Sequence, residues 1–421
     1  MINENLADRI LPRLPEIQDW FRKHACSTPP PLYCSVDIRD SGKKIGVVDC
    51  NLFPAGFNNL CHKDHQATSK AFHSQFSMIA KRKRLGAPRK ILILPESHTE
   101  NKFYVENLYH LVTILNDAGY ETEIGWIQNE ENPIPPPEKI EAASGKLLHP
   151  KVLQMQNNRL FAGDFEPDLV LLNNDFSGGY PKILDQIEQP ILPSHRLGWH
   201  SRTKSEHFVY YNRLAAEFCQ IIDLDPWHLR VITQSVDNVN FNEQTGTDRV
   251  AEAVQQVLDQ TRTAYKNHKI EQEPFAFVKS NTGTYGMGIM VVRSGEELLA
   301  MNRRTKNKMS VGKNRRLIDS VIIQEGIPTK LVVDEKSAEP VIYMAGAELI
   351  GGFLRINSER GNEENLNSRG MTFKPLCLAN LEEYFKFERG APELFELVYG
   401  SVARISAIAV GMEFQNILAT S

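Results

Sequence analysis

Phe277-Val-Lys-Ser-Asn-Thr-Gly-Thr-Tyr-Gly-Met-Gly-Ile-Met290 is the stretch from which the fold is read. A short apolar run carries Lys279 to the mouth of a loop with glycines at 283, 286 and 288, and the chain returns at once to the apolar run Ile289 to Val292. The pattern predicts a strand, a glycine loop and a second strand. Glycine lets backbone N–H groups turn toward an anion and lets a loop lie close over it. The lysine adds a point charge suited to phosphate, so the hairpin can hold a nucleotide polyphosphate from above. No Gly-Lys-Ser/Thr follows the glycines, which excludes a Walker loop. The continuation as strand rather than helix excludes a dinucleotide fingerprint. Taken alone, the stretch reads equally as a glycine-rich hairpin turn with an incidental lysine.

Downstream residues supply what such a hairpin needs. Val321-Ile-Ile-Gln-Glu-Gly-Ile327 is an apolar strand ending in polar side chains and a glycine. There Gln324 and Glu325 can offer backbone groups to a base and a carboxylate to sugar hydroxyls. Gly351-Gly-Phe-Leu-Arg-Ile-Asn357 sends Arg355 out of an apolar strand, where a guanidinium can stabilise charge developing on transferred phosphoryl oxygens. Arg360-Gly-Asn-Glu-Glu-Asn-Leu-Asn-Ser-Arg-Gly370 offers oxygen ligands of the kind Mg²⁺ takes around phosphates. By itself that loop also reads as a solvated, charged turn.

Upstream, Lys90 to Leu94, a helical period from Asn101 to Ala118 closed by Gly119, and Tyr120 to Gly125 make a β-α-β order. That order predicts a parallel, Rossmann-like sheet. Pro133 to Pro137 marks a surface loop, and Asp168 to Asn174 is a further buried strand. Ligands collect at the C-terminal ends of such strands, so Asn173, Asn174 and Asp175 read as substrate contacts or as turn formers. The first 85 residues open with an amphipathic helix from Leu6 to His24. Two strands follow, Tyr33 to Arg39 and one ending Val47-Val48-Asp49. Asp49-Cys-Asn-Leu-Phe-Pro-Ala-Gly-Phe-Asn-Asn59 is dense in short polar side chains and turn formers. The basic run Lys81-Arg-Lys-Arg84 reads as a solvated helix end favoured by the helix dipole. The expected architecture is α/β, α+β in part, in three segments: 1–85, 86–200 and 201–421. Helices about 247–268 and 295–302, a hairpin through 341–356 and a helical region from about Leu381 complete the third.

Composition narrows the function. A formal net charge of −4 and a basic run without interleaved aromatics argue against a nucleic-acid partner. No apolar run approaches the roughly 20 residues needed to span a bilayer. The start lacks a secretory signal, which makes cytoplasm the default. Six cysteines, at 26, 34, 50, 61, 219 and 377, form no Cys-x-x-Cys pair and are expected as reduced thiols. Cys61, His62 and His65 would make a zinc site only with a fourth ligand that the spacing does not supply.

The order of the pieces resembles the ATP-grasp ligases, and in layout the bacterial glutathione synthetases. Ser35-Val-Asp-Ile-Arg39, the Asp49 to Asn59 segment and Lys279-Ser-Asn-Thr-Gly-Thr-Tyr-Gly-Met-Gly288 more specifically resemble the ATP-grasp-type glutamate–cysteine ligase of some proteobacteria. The resemblance implies an ATP-grasp fold with a glycine-rich lid (201–421), preceded by a Rossmann-like domain and by an N-terminal extension contributing to the substrate site. It implies ATP and Mg²⁺ as cofactors and L-glutamate and L-cysteine as substrates, joined through an acyl phosphate. Lys279 and Arg355 would be catalytic. ATP would meet Lys279, Ser280, Gly283, Thr284, Tyr285, Gly286, Gly288, Gln324 and Glu325. Arg39, Arg202 and Lys204 are candidates for the glutamate α-carboxylate, and Asp49, Asn51, Asn58 and Asn59 for an amino group. One departure stands out. Glutathione synthetases end in strands bearing an acidic residue and a Glu-x-Asn pair that hold magnesium, whereas this chain stops after a helix with Glu413 and Asn416. Glu363, Asn365 and Asn367 are the expected metal ligands in their place. The same loop would serve another ATP-grasp ligase, or a non-catalytic nucleotide-binding scaffold.

Overall fold

The computed structural model describes residues 2–96, 100–127, 135–283, 288–312, 317–377 and 395–420. Thr284, Tyr285 and Gly286 of the loop, Pro133 of the proline turn and the start of the expected C-terminal helix at Leu381 lie outside these residues. Prolines cause the first departure from the sequence reading. The segment 6–24 is not one helix: α1 (Ile2–Ile10) and α2 (Leu14–Ser27) are separated by a 3₁₀ turn, Leu11–Arg13. Pro12 and Pro15 remove donors that a continuous helix needs, and Arg13 leaves helical space at φ −107°, ψ 8°.

The chain continues through β1 (Tyr33–Asp40), β2 (Ile45–Asn51), α3 (His65–Lys83), β3 (Lys90–Pro95), α4 (Lys102–Asp117) and β4 (Glu121–Trp126). Next come β5 (Ile140–Glu141), β6 (Leu147–Leu148), β7 (Lys151–Gln156), β8 (Arg159–Ala162), β9 (Leu169–Asn173), β10 (Ile191–Leu192) and α5 (Lys204–Ile221). Then follow β11 (Thr233–Asp237), α6 (Thr247–Asn267), β12 (Ala276–Ser280), β13 (Ile289–Val292), α7 (Gly295–Leu299), α8 (Arg303–Ser310) and β14 (Ser320–Glu325). The last are β15 (Val332–Val333), β16 (Lys336–Ala345), β17 (Glu348–Asn357), β18 (Met371–Pro375) and α9 (Ser401–Thr420).

Three sheets position the site. The first has the order β10-β9-β3-β4-β7-β8 and is parallel except for the β7–β8 hairpin. Its central runs, Ile91 to Leu94 and Leu169 to Leu172, are buried, as expected of parallel strands covered on both faces. The sequence reading missed β7 and β8. Their turn residues, Asn157 and Asn158, both take positive φ (48° and 60°), the geometry of a tight two-residue hairpin. The second sheet, β11-β14-β12-β13, is antiparallel and contains the glycine-loop hairpin, with Lys279 opposite Ile289.

The third sheet runs β18-β17-β16-β1-β2, with β15 beside β16. It places strands from residues 33–51 in one ladder with strands from 332–375. Side chains alternate across it. Cys34, Val36, Ile38, Ile342, Met344, Leu354 and Ile356 join the main core with α5 and α9. The other face carries Tyr33, Tyr343 and Phe353 at one end, packed with Phe57 and Phe72, and charged residues at the other.

Two further expectations change. Glu396–Ala419 has the length and mean hydropathy (1.3) of a candidate membrane span, a longer apolar stretch than the sequence reading allowed for, yet 83% of that window is buried in the protein. It is a central core helix, apolar all round because it is enclosed all round. The thiols are not all reduced: Cys61 and Cys377 form a disulfide, while Cys26, Cys34, Cys50 and Cys219 are free. A separation of 316 residues hides that pairing from any local spacing rule.

Candidate active site

The charged end of the third sheet is built by register. Asp37 on β1 lies opposite Asp49 on β2, and Glu339 on β16 lies opposite Arg355 on β17. Like charges directly opposite one another are destabilising, so cations must sit between these carboxylates. Arg355 Nη1 donates to Asp37 Oδ2 (2.9 Å) and Glu339 Oε1 (2.7 Å). Arg39 Nε donates to Glu339 Oε2 (2.8 Å). Lys204, at the start of α5, places its ammonium 2.6 Å from each oxygen of Asp49. The backbone of Lys204 is tied to the glycine-loop strand by a bond to Asn281 O (2.8 Å).

Lys279 completes the ring from the second sheet. Its Nζ donates to Gln324 Oε1 (2.5 Å) and Val48 O (3.3 Å), and Gln324 Nε2 donates to Val47 O (3.0 Å). Gln324 thus ties the glycine-loop sheet to β2. Above Lys279 the loop leaves and returns through Gly283 (φ 97°) and Gly288 (φ 62°), both in the left-handed region that glycine tolerates.

Together Asp37, Arg39, Asp49, Lys204, Lys279, Ser280, Gly283, Glu339, Arg355, Asn365 and Asn367 line one cleft of about 560 Å³, a volume that includes its open mouth. Two arginines and two lysines face three carboxylates there. Burial pushes the Lys279 amine down to about 7; Lys204 and Arg39 push the same way, while Asp49 and Glu339 oppose. Burial raises the Asp37 carboxyl despite Arg355. For Asp49, burial acts upward, but Lys204 and then Lys279 hold the carboxyl below its usual range. Asp37 Oδ1 and Arg355 Nε are buried with no hydrogen-bond partner among the described residues. The cleft therefore keeps one acceptor and one donor for something else.

Other expected residues lie elsewhere. Arg202 is buried behind β2 and pairs with Glu413. Asn58 and Asn59 bond to each other in the 3₁₀ turn Phe57–Asn59, and they do not line the cleft. Asn51 sits at the end of β2, opposite Ser35. The Glu325 carboxylate is engaged by Lys44 Nζ (2.5 Å) and Ile232 N (2.8 Å). Glu363 bonds Arg293 and Gln272 and lines a neighbouring groove. Asn173 is a structural contact: its amide bonds Asn107, Pro54 O and Tyr33. Among the described residues no three His, Cys, Asp or Glu side chains form a metal-holding group, and Cys61 is taken by its disulfide. Asp37 and Glu339 are the residues that sequence reasoning missed. The available signal was an acid set between apolar neighbours in each of two strands, Val36-Asp37-Ile38 and Ala338-Glu339-Pro340.

The family profile described as "Glutamate-cysteine ligase" matches residues 7–414. The chain belongs to the glutamate–cysteine ligase family. The ligase is thus an enzyme with glutamate–cysteine ligase activity, in an ATP-dependent family. It is 36% identical to a crystal structure from Methylobacillus flagellatus KT described as "Putative gamma-glutamylcysteine synthetase". The likeness covers 98% of this chain and 96% of that one, with a TM-score of 0.85. D-alanyl-alanine synthetase A from Vibrio cholerae O1 biovar eltor str. N16961 aligns at 12% identity over 74% of this chain and 79% of that one, at a TM-score of 0.35, too low to bear on the fold. No curated protein matches the ligase.

Proposed function

We propose that the cleft is the ATP site of an ATP-grasp ligase that makes γ-glutamylcysteine from L-glutamate and L-cysteine, the first step of glutathione biosynthesis. The observation that carries this reading is the meeting of Lys279, Arg355 and the paired carboxylates of Asp37 and Asp49 in one cleft at the mouth of the glycine loop. ATP would transfer its terminal phosphoryl group to the side-chain carboxylate of glutamate. The cysteine amine would then attack that acyl phosphate and release inorganic phosphate. Phosphoryl transfer needs positioning and charge neutralisation rather than a covalent protein nucleophile, which suits a cleft of Lys, Arg, Asp and Asn. Lys279 would hold phosphate oxygens. Arg355, with its unpartnered Nε, would meet the charge that develops on the transferred group. The glycine loop, including Thr284, Tyr285 and Gly286, would exclude water from the acyl phosphate. Arg39 and Lys204 would attract the glutamate α-carboxylate.

The donor chemistry fits magnesium. The ion takes oxygen ligands and is usually held by one or two carboxylates together with substrate phosphates. Asp37 Oδ1 is a buried oxygen without a partner, and Asp49 and Asn51 share its sheet face. Asp37 and Asp49 would hold Mg²⁺, with Asn365 and Asn367 across the cleft; Glu363 stays with Arg293. Bound there, the ion would neutralise phosphate charge. ATP as substrate suits the cytoplasm. The test is phosphate release with ATP, glutamate and each second amino acid in turn. Release that depends on cysteine is expected; equal release with glycine plus γ-glutamylcysteine would overturn the reading.

A further inference from the structure

On the opposite side of β2 from the cleft lies a second ionic cluster, sealed from solvent: Arg202 and His207 are each 2% exposed and Glu413 is 0% exposed. Arg202 Nε donates to Glu413 Oε2 (2.5 Å) and Nη2 to Oε1 (3.3 Å). His207 Nδ1 donates to Glu413 Oε1 (2.5 Å), and its Nε2 pairs with Ser406 Oγ (3.0 Å). The third edge of the guanidinium points at the active strand, where Nη1 donates to Cys50 O (2.8 Å). Cys50 is the residue between Asp49 and Asn51. The guanidinium also lies 4.9 Å from the Trp199 ring, and the Lys204 ammonium sits 4.3 Å over that ring while holding Asp49.

Buried ion pairs are seldom the cheapest way to fill a core, since apolar groups of similar volume do as well or better. An apolar plug, however, could not grip a backbone carbonyl from a fixed direction, as a planar guanidinium can. Glu413 comes from α9, and Arg202 and His207 from the start of α5 and the turn before it. The cluster therefore refers the position of β2 to two helices of the main core.

We infer that Arg202, clamped by Glu413 and His207, is a positioning residue: it fixes the Asp49-Cys50-Asn51 backbone and, through Trp199, the Lys204 ammonium that would meet the glutamate α-carboxylate. The inference rests on the roles proposed above for Asp49 and Lys204. Arg202→Lys keeps the charge and the reach to Glu413, but one ammonium cannot also span to Cys50 O. A misplacement of catalytic groups by an ångström costs up to about 100-fold in rate. Arg202→Lys is accordingly expected to lower kcat by about 10- to 100-fold, with the KM for ATP moving less than about threefold because Lys279 and Arg355 are untouched.

The deciding readout is a double-mutant cycle with Asp49→Asn, with urea midpoints taken so that rates refer to folded enzyme. In the Asp49→Asn background, Arg202→Lys is expected to cost less than about twofold more, since the Asp49–Lys204 pair it acts through is already broken. If Arg202→Lys will not fold, Glu413→Asp, which draws the guanidinium back while keeping the charge balance, is expected to show the same coupling. Wild-type kcat in Arg202→Lys, or fully additive losses in the double mutant, would overturn the inference and leave the ATP site standing. Wild-type kcat in Asp49→Asn would instead remove the proposed role of Asp49, and the inference with it.

Discussion

Two ionic clusters sit on opposite sides of the same strand, and they differ in how completely the protein satisfies them. On the cleft side, Asp37 Oδ1 and Arg355 Nε are buried without partners. On the core side, every polar side-chain atom of Arg202, Glu413 and His207 is bonded within the chain. A buried polar atom left without a partner costs about 1–3 kcal/mol, so a fold keeps such atoms where a ligand completes them. The finished cluster holds the strand still, and the unfinished one keeps hydrogen-bonding capacity for phosphate, metal or substrate.

The largest effects should come from the unfinished side. Lys279→Ala and Arg355→Ala are each expected to lower kcat by about 1,000-fold or more, the scale of removing a phosphate-stabilising cation. Arg355→Ala should also lose about 3–5 kcal/mol of stability by urea denaturation, because it strands Asp37 and leaves Glu339 with Arg39 alone. Retained kcat in either variant would remove the cleft from the chemistry. On the finished side, Glu413→Gln should cost a similar 3–5 kcal/mol, roughly, since Arg202 would keep a buried charge without its partner. A change below about 1 kcal/mol would mean that water already reaches the cluster.

Lys279 offers a pH test with a definite sign. Its folded pKa of about 7 lies well below the usual lysine value. Between that value and about 10.4 the unfolded chain binds a proton that the folded chain does not, so the Lys279 contribution to apo stability rises with pH across this window. Phosphate beside the amine reverses the preference. Calorimetry in buffers of different ionisation enthalpy should therefore show uptake of close to one proton on ATP binding at about pH 8, and little at about pH 6, as linkage requires. No uptake at the higher pH would mean that the amine does not meet the phosphates. The smallest effect concerns Glu363. It is partly exposed beside Arg293, and such pairs contribute about 0–1 kcal/mol. Glu363→Gln should leave kcat and its Mg²⁺ dependence within about twofold of wild type, whereas a metal ligand would lose far more.

The contrast also shows what a linear sequence can and cannot reveal. Lys279, Gly283, Gly288 and Arg355 are legible because their meaning is local: a strand delivers a cation, and a loop needs positive φ. The β-α-β order of the parallel sheet is legible for the same reason, through hydrophobic periodicity. Asp37 and Glu339 are not, since they meet only because β1 pairs with β16, a strand about 300 residues away in sequence. Membership of β1 and β2 in the sheet of β16 and β17, the Cys61–Cys377 pairing and the Arg202–Glu413 clamp are non-local in the same way. Glu413 did leave a trace, as a lone acid in an otherwise apolar helical run, which in a core means a buried partner.

The central claim is that this cleft activates the glutamate side-chain carboxylate as an acyl phosphate. Glutamate labelled with ¹⁸O in that carboxylate, incubated with ATP and cysteine, tests it most directly by mass analysis of the released phosphate. The account predicts transfer of one labelled oxygen to phosphate in each turnover, and loss of both transfer and turnover in Lys279→Ala. Product formation with no label in the phosphate would contradict it.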